Sequence, residues 1–271
     1  MPDPFRFERA SAEESPVVVE VPHAGLLVDP ESAATMIAPL RAVGRDADLY
    51  VDELFGDAPA HGATLISATH SRLVLDLNRG PRDFDALAAE GGQPQALPRG
   101  LVWRLSTDGD PVIASKLSAA EVSRRVTALY RPYHDALTAE LERKRERFGF
   151  AVLLCAHSMP STGRRGHVDV GSGRADVVPG SRGRTSAATV VIDTVADVAR
   201  RRGLSVKHDD PYRGGFSTAH YGRPHEGLHA VQVELARRLY MDEATLARSD
   251  GFEATRALGA ALVAALGELR L

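Results

Sequence analysis

Two histidines follow directly on apolar, β-branched runs: His23 after Val17–Val21, and His157 after Ala151–Ala156. Paired strand-end histidines joined by a carboxylate make the three protein ligands of a catalytic zinc, with one position left for water. The acidic cluster Asp46, Asp48, Asp52 and Glu53 offers that carboxylate. On a helix Asp48 and Asp52 share a face, so one can ligate while the other orients a ligand histidine. No HExxH-type spacing occurs, so distant segments must assemble the site. The histidines converge only if their strands are neighbours, and each alone also fits a hydrogen-bonded structural residue.

Other residues point to an anionic substrate. Asp76-Leu77-Asn78-Arg79 closes a strand candidate that Arg72 opens. An arginine fork beside an asparagine amide suits a carboxylate, although a strand-terminal turn with a surface Asp76–Arg79 pair fits equally. In Ala230–Leu235, alternation puts Gln232 and Glu234 on one face and the valines on the other. A carboxylate flanked by apolar neighbours has a raised pKa and can shuttle protons near neutrality. Upstream, Asp210–Gly222 is a glycine-punctuated loop carrying Tyr212, Arg213, Thr218 and His220, able to close over a substrate. Ser158 lacks a G-x-S-x-G elbow. The glycines of Asp169–Gly173 lack the setting of a nucleotide loop. Cys155 reads as packing, and His134 as structural.

The elements that must position these residues alternate in a βα rhythm. Strands are expected at Val17–Val21, Ala63–Ala68, Arg72–Leu77, Ala151–Ala156, Leu204–His208 and Ala230–Leu235. Helices are expected at Pro30–Val43, Asp46–Phe55, Ser118–Arg147, Ser186–Arg202, Glu243–Ala247 and Phe252–Leu269, with a kink or stop near Pro132. Gly80–Gly109 and Ser158–Arg184 are long and rich in turn formers, as functional loops are. The expected fold is α/β: a mixed, mostly parallel sheet flanked by helices, with the site beyond the strands' carboxyl ends.

Composition bounds the class. The 271 residues are 44% hydrophobic, enough for a sizeable core, and no linker divides them, so residues 1–271 read as one domain. A formal charge of −3 gives no field for non-specific nucleic-acid binding. A single cysteine allows no internal disulfide and fits a reducing compartment. The N-terminus has no apolar signal-like core, and no apolar stretch nears the ~18 residues of a membrane span, so a cytoplasmic protein with no membrane partner is expected. The apolar stripe of Phe252–Leu269 can pack internally or across a homo-oligomer. Of 33 basic residues 30 are arginine, and Asn78 is the only asparagine.

Taken together the segments resemble the N-formylglutamate amidohydrolase family, zinc hydrolases related to the zinc carboxypeptidases and aspartoacylases. The matching pieces are VPHAG (Val21–Gly25), DADLYVDELF (Asp46–Phe55), SRLVLDLNR (Ser71–Arg79), YRPYHDAL (Tyr130–Leu137), LLCAHSMPS (Leu153–Ser161), DPYRGGFSTAHYG (Asp210–Gly222) and VQVELARRLYMDE (Val231–Glu243). The resemblance implies a zinc-carboxypeptidase-like fold and one Zn2+ on His23, His157 and Asp48, with Asp52 as the alternative third ligand. Three residues after His23 stands Leu26, so the short H-x-x-E ligand pair of the carboxypeptidases is absent. The resemblance also implies that Asn78 and Arg79 grip a substrate carboxylate, that Arg72 helps at the oxyanion and that Glu234 is the general base. The implied reaction is hydrolysis of N-formyl-L-glutamate to formate and L-glutamate, as in histidine degradation, with Arg213 also near the substrate. Another small anionic N-acyl amino acid, a small peptide, or a metal-binding homologue without turnover are the alternatives.

Overall fold

Val17–Val21 (β2) and Ala151–Met159 (β4) are nearly unbroken apolar runs, the composition of strands covered on both faces. They lie side by side at the centre of the sheet in a computed structural model describing residues 3–94 and 96–271. With β1 (Phe5–Glu8), β3 (Thr64–Ala68), β5 (Val177–Gly180) and β6 (Leu228–Ala236) they form one six-stranded sheet, ordered β1-β3-β2-β4-β6-β5. The four inner strands are parallel, and the two edge strands run antiparallel to them. Chain order reverses between β2 and β4, which makes their carboxyl ends the natural ligand crevice.

Side-chain alternation divides the core between the two faces. Val17, Val19, Val152, Leu154, Val231 and Val233 pack against α6 (Thr189–Arg200) and α8 (Phe252–Gly267). On the other face Val18, Leu153, Cys155 and Ala230 pack with residues of α4 (Ala119–Arg125), α5 (Arg131–Phe148) and the segment from Leu73 to Leu117. By the same parity Glu20, His157, Gln232 and Glu234 belong to this second face. Glu234 therefore lies on an interior strand.

Several expected elements are corrected. Arg72–Leu77 is a run of turns rather than a strand. Its leucines and valine are buried beneath Phe84, Leu101 and Trp103, so apolar content here marks burial, not a ladder. Leu204–His208 makes only an isolated bridge, at Val206, and Glu243–Ala247 is turn. Pro30–Val43 splits into α1 (Pro30–Ala33) and the start of α2 (Leu40–Asp46). Asp46–Phe55 keeps a helix only at α3 (Val51–Leu54), because Ala47 is extended and Tyr50 is left-handed, with φ 67°. Asp48 thus lies in the irregular link between α2 and α3 and shares no helix face with Asp52. Ser118–Arg147 does not stop at Pro132: a π-helical turn, Val126–Tyr130, joins α4 to α5 just before the proline, a local change of helical pattern beside a residue that has no N–H to give. Short β1, β5 and α7 (Phe216–Tyr221) were not expected.

The turn at Leu77–Arg79 is clamped from α5 and its π-helical lead-in. His134 Nε2–H donates to the Leu77 carbonyl at 3.0 Å, its Nδ1 accepts from the Tyr221 hydroxyl at 2.8 Å, and the Tyr130 hydroxyl donates to the Arg79 carbonyl at 3.0 Å. Burial pushes the His134 pKa down to about 4. An unfolded histidine titrates near 6.5, so between those values the unfolded chain takes up a proton that the native one refuses. Stability contributed by neutral His134, up to about 3 kcal/mol, is complete above pH 6.5 and falls as pH drops toward 4. Urea midpoints at pH 7 and pH 5 should differ less in His134→Gln than in the parent; equal differences would contradict this clamp.

Candidate metal centre and active site

His23 leaves the end of β2, and Asp48 is brought to it by backbone pairing, the Asp48 N–H donating to the His23 carbonyl at 2.9 Å. Gly25 lets this loop press on the Thr69–His70 backbone, where a Cβ would lie 2.4 Å from the Thr69 carbonyl carbon. His157 reaches the same point from β4. The Nδ1 atoms of His23 and His157 are 3.2 Å apart, and Asp48 Oδ2 lies 3.5 Å and 3.0 Å from them. Ligands about 2.0–2.1 Å from a tetrahedral ion are about 3.3–3.4 Å from one another, so this buried triangle has the donors and the size for a single divalent ion. Asp52 is outside it, paired with Arg6 on the protein's flank.

The far side of the His23 ring is held. His23 Nε2 is 2.7 Å from Asp76 Oδ1, which places a proton on Nε2 and leaves the Nδ1 lone pair facing the triangle. Asp76 also accepts from Arg72 Nη2 at 2.8 Å, Trp103 Nε1 at 3.0 Å and the Asn78 backbone N–H at 3.0 Å. The Asn78 amide nitrogen lies 3.2 Å from His157 Nε2, and its Oδ1 accepts from Ser217 N–H at 2.9 Å. Asn78 also lines the cavity, and because ligation through Nδ1 puts the His157 proton on Nε2, the amide nitrogen, itself a donor, makes no hydrogen bond to the ligating ring. Arg237, buried, reaches Asp48 Oδ1 at 3.3 Å and the Ala47 carbonyl at 2.6 Å.

Two buried carboxyls of opposite tendency line the same cavity. Burial opposes the Asp48 charge, but hydrogen bonds from His157 and His23 outweigh it and hold the carboxyl below its usual range. Glu234 is paired in register with His157 across β4 and β6, and among the described residues its carboxyl accepts one hydrogen bond, from Gln232 Nε2 at 2.8 Å. Burial pushes its pKa up, against the pull of His157. A raised carboxyl is suited to taking up a proton and handing it on.

Above the triad opens a cavity of about 430 Å³. Asn78, Arg79, Arg72, Tyr212, Arg213 and Glu234 all line it. Thr218 and His220 do not: Thr218 is buried with its hydroxyl on Cys155 Sγ at 3.8 Å, and His220 stacks on Phe216 at the exposed side of α7. Eight arginines and four carboxylates face the cavity. Arg45, Arg72, Arg164, Arg174 and Arg237 each have a carboxylate oxygen within 3.3 Å. Arg79 comes only to 3.9 Å of Asp76, and among the described residues Arg99 and Arg213 have no carboxylate within 4.0 Å. Trp103, Arg237 and Arg99 were not anticipated. The lone tryptophan within a long irregular segment was the one available signal.

Strand-end ligands at the switch point of a mixed sheet, a buried carboxyl beside them and a cationic cavity above define an α/β protein with a candidate metal centre. The chain belongs to the N-formylglutamate amidohydrolase family, whose profile matches residues 15–241. It is 34% identical over 233 residues to an N-formylglutamate deformylase of Pseudomonas putida, covering 84% of this chain and 82% of that one. A Pseudomonas aeruginosa N-formylglutamate deformylase is 34% identical over 257 residues, 90% of this chain and 89% of the relative. The crystal structure of an N-formylglutamate amidohydrolase from Ralstonia eutropha JMP134 superposes with a TM-score of 0.89 at 33% identity, over 98% of this chain and 97% of that one. A gene product of Agrobacterium tumefaciens shares the fold, with a TM-score of 0.70 at 22% identity over 97% of this chain and 95% of that one.

If Asp76 orients His23 for a metal, Asp76→Asn should weaken divalent-ion binding about 10- to 100-fold. Equilibrium dialysis with Zn2+ measures this, and unchanged affinity would count against the triad as a metal centre. Because the ion competes with protons for the same ligands, affinity should also fall as pH is lowered.

Proposed function

We propose that the chain is a zinc-dependent amide hydrolase that cleaves N-formyl-L-glutamate to formate and L-glutamate, a step of histidine degradation. The observation carrying this reading is the buried His23–Asp48–His157 triangle beside Glu234, under an arginine-rich cavity, in a chain 34% identical to N-formylglutamate deformylases. His23, Asp48 and His157 would hold the ion, which supplies positive charge to polarise a carbonyl and acidify a water molecule.

The remaining work falls to side chains. Glu234 takes the proton of the attacking water and hands it to the departing amine nitrogen, so that one carboxyl serves as base and then as acid. Its burial raises the pKa, which favours the return transfer. Arg72 has two nitrogens committed to Asp76, and Nη1 remains to face the oxyanion that develops as water adds to the formyl carbon. Such a donor contributes roughly 3–4 kcal/mol to a transition state. Arg79, half-buried at the cavity wall, is the site for the substrate α-carboxylate. Tyr212 and Arg213 border the entrance.

Glu234→Gln should lower formate release about 100- to 10,000-fold while a full equivalent of zinc stays bound. Retained activity would remove Glu234 from the mechanism. N-formyl, N-acetyl and N-succinyl amino acids assayed together decide the acyl group: turnover should concentrate on N-formylglutamate, and even turnover across the panel would overturn that choice.

A further inference from the structure

Among the described residues, one cavity arginine has neither a carboxylate within 4.0 Å nor work in the reaction just described. Arg99 is half-buried, and its guanidinium donates to the carbonyl of Gly166. The nearest-acting carboxylate, Asp46, is already occupied by Arg164 at 3.0 Å and the Thr107 N–H at 2.9 Å. Burial lowers the Arg99 pKa, and the like charges of Arg79 and Arg72 lower it further against Asp46. A guanidinium kept partly out of water beside other cations, with a carbonyl as partner, is stabilised when an anion arrives.

The wall around it is built to fit. At Gly166 a Cβ would lie 2.5 Å from Arg99 Nη1 and 2.5 Å from the Thr107 carbonyl oxygen, so only a residue without a side chain lets the loop close on Arg99. This gives a role to part of the glycine-rich Ser158–Arg184 stretch.

Position separates the three arginines that lack close carboxylates. Arg79 follows the turn that Asp76 anchors, 3.9 Å from that carboxylate, and so stands by the reacting centre, where the α-carboxylate next to the scissile nitrogen must lie. Arg213 is exposed at the rim, where salt screens it. Arg99 comes from a separate loop, beside Arg79 and enclosed by Gly166.

We propose that Arg99, seated by the Gly166 turn, receives the distal carboxylate of a dicarboxylic N-acyl amino acid and makes the site selective for glutamate over glutamine side chains. The proposal rests on the amide-hydrolase reading of the same site. N-formyl-L-glutamate and N-formyl-L-glutamine differ in that one group, and L-glutamate and L-glutamine bound to the zinc-loaded protein give the same comparison without turnover. In Arg99→Gln, kcat/KM for N-formylglutamate should fall about 30-fold or more, mainly through KM, as expected for an unpaired buried carboxylate. The glutamine substrate should change less than about threefold, and Arg99→Lys should restore part of the preference. Gly166→Ala, which displaces Arg99 without removing its charge, should reduce the preference in the same direction. A glutamate preference that survives in Arg99→Gln, in turnover or in calorimetric binding, would overturn the assignment. A parent protein that fails to hydrolyse N-formylglutamate but binds glutamate over glutamine through Arg99 would instead overturn the reaction and keep the arginine.

Discussion

The site is organised around one fully buried carboxylate, Asp76. Taking such an ion out of water costs several kcal/mol unless its lone pairs are filled. Here they are filled by the His23 ring, the Arg72 guanidinium, the Trp103 indole N–H and the Asn78 backbone N–H. Burial works against the charge, and Arg72 and His23 overcome it, keeping the Asp76 pKa far below the ordinary range. One group thereby fixes the tautomer of a ligand, aims a cation and sets the turn leading to Arg79. Arg72 is further held over the Trp103 ring, 4.7 Å from its centre, so that the indole contributes both a hydrogen bond and a surface for the guanidinium.

Around that anchor the two remaining carboxyls are driven apart by their surroundings. Asp48 has two imidazoles and Arg237 against it and stays ionised, as a ligand must. Glu234, equally buried but with the neutral Gln232 amide as its one hydrogen-bond donor among the described residues, keeps its proton longer. Gln232 is in turn fixed by the Gly215 N–H at 2.8 Å, so the loop bordering the cavity and the base on the sheet share one hydrogen-bonded path.

Much of this was legible in the sequence where the physics is local. Strand ends leading into polar residues announced His23 and His157, because buried parallel strands are long apolar runs and the polar residues at their carboxyl ends must face the crevice. The alternation of Ala230–Leu235 placed Glu234 correctly on the face opposite its valines. What could not be read were contacts made by turns. Asp48 depends on the left-handed Tyr50 that breaks a helical pattern, and Arg72–Leu77 mimics a strand because its residues are buried under a long irregular segment. Thr218 and His220 sat in a promising loop, yet folding part of that loop into α7 turned one inward to Cys155 and the other outward. Arg237 and Trp103 carry no local pattern, since their partners lie 189 and 27 residues away.

The pairing of β4 with β6 sets His157 directly opposite Glu234. Successive residues on a strand point to opposite faces, so a slip of one position would send one of these side chains out of the crevice and into the layer packed by α6 and α8. The chemistry and the correctness of folding are then the same test. A molecule with a misaligned central ladder loses ligand and base from a common face at once, and a competent site certifies the register of the strands that built it.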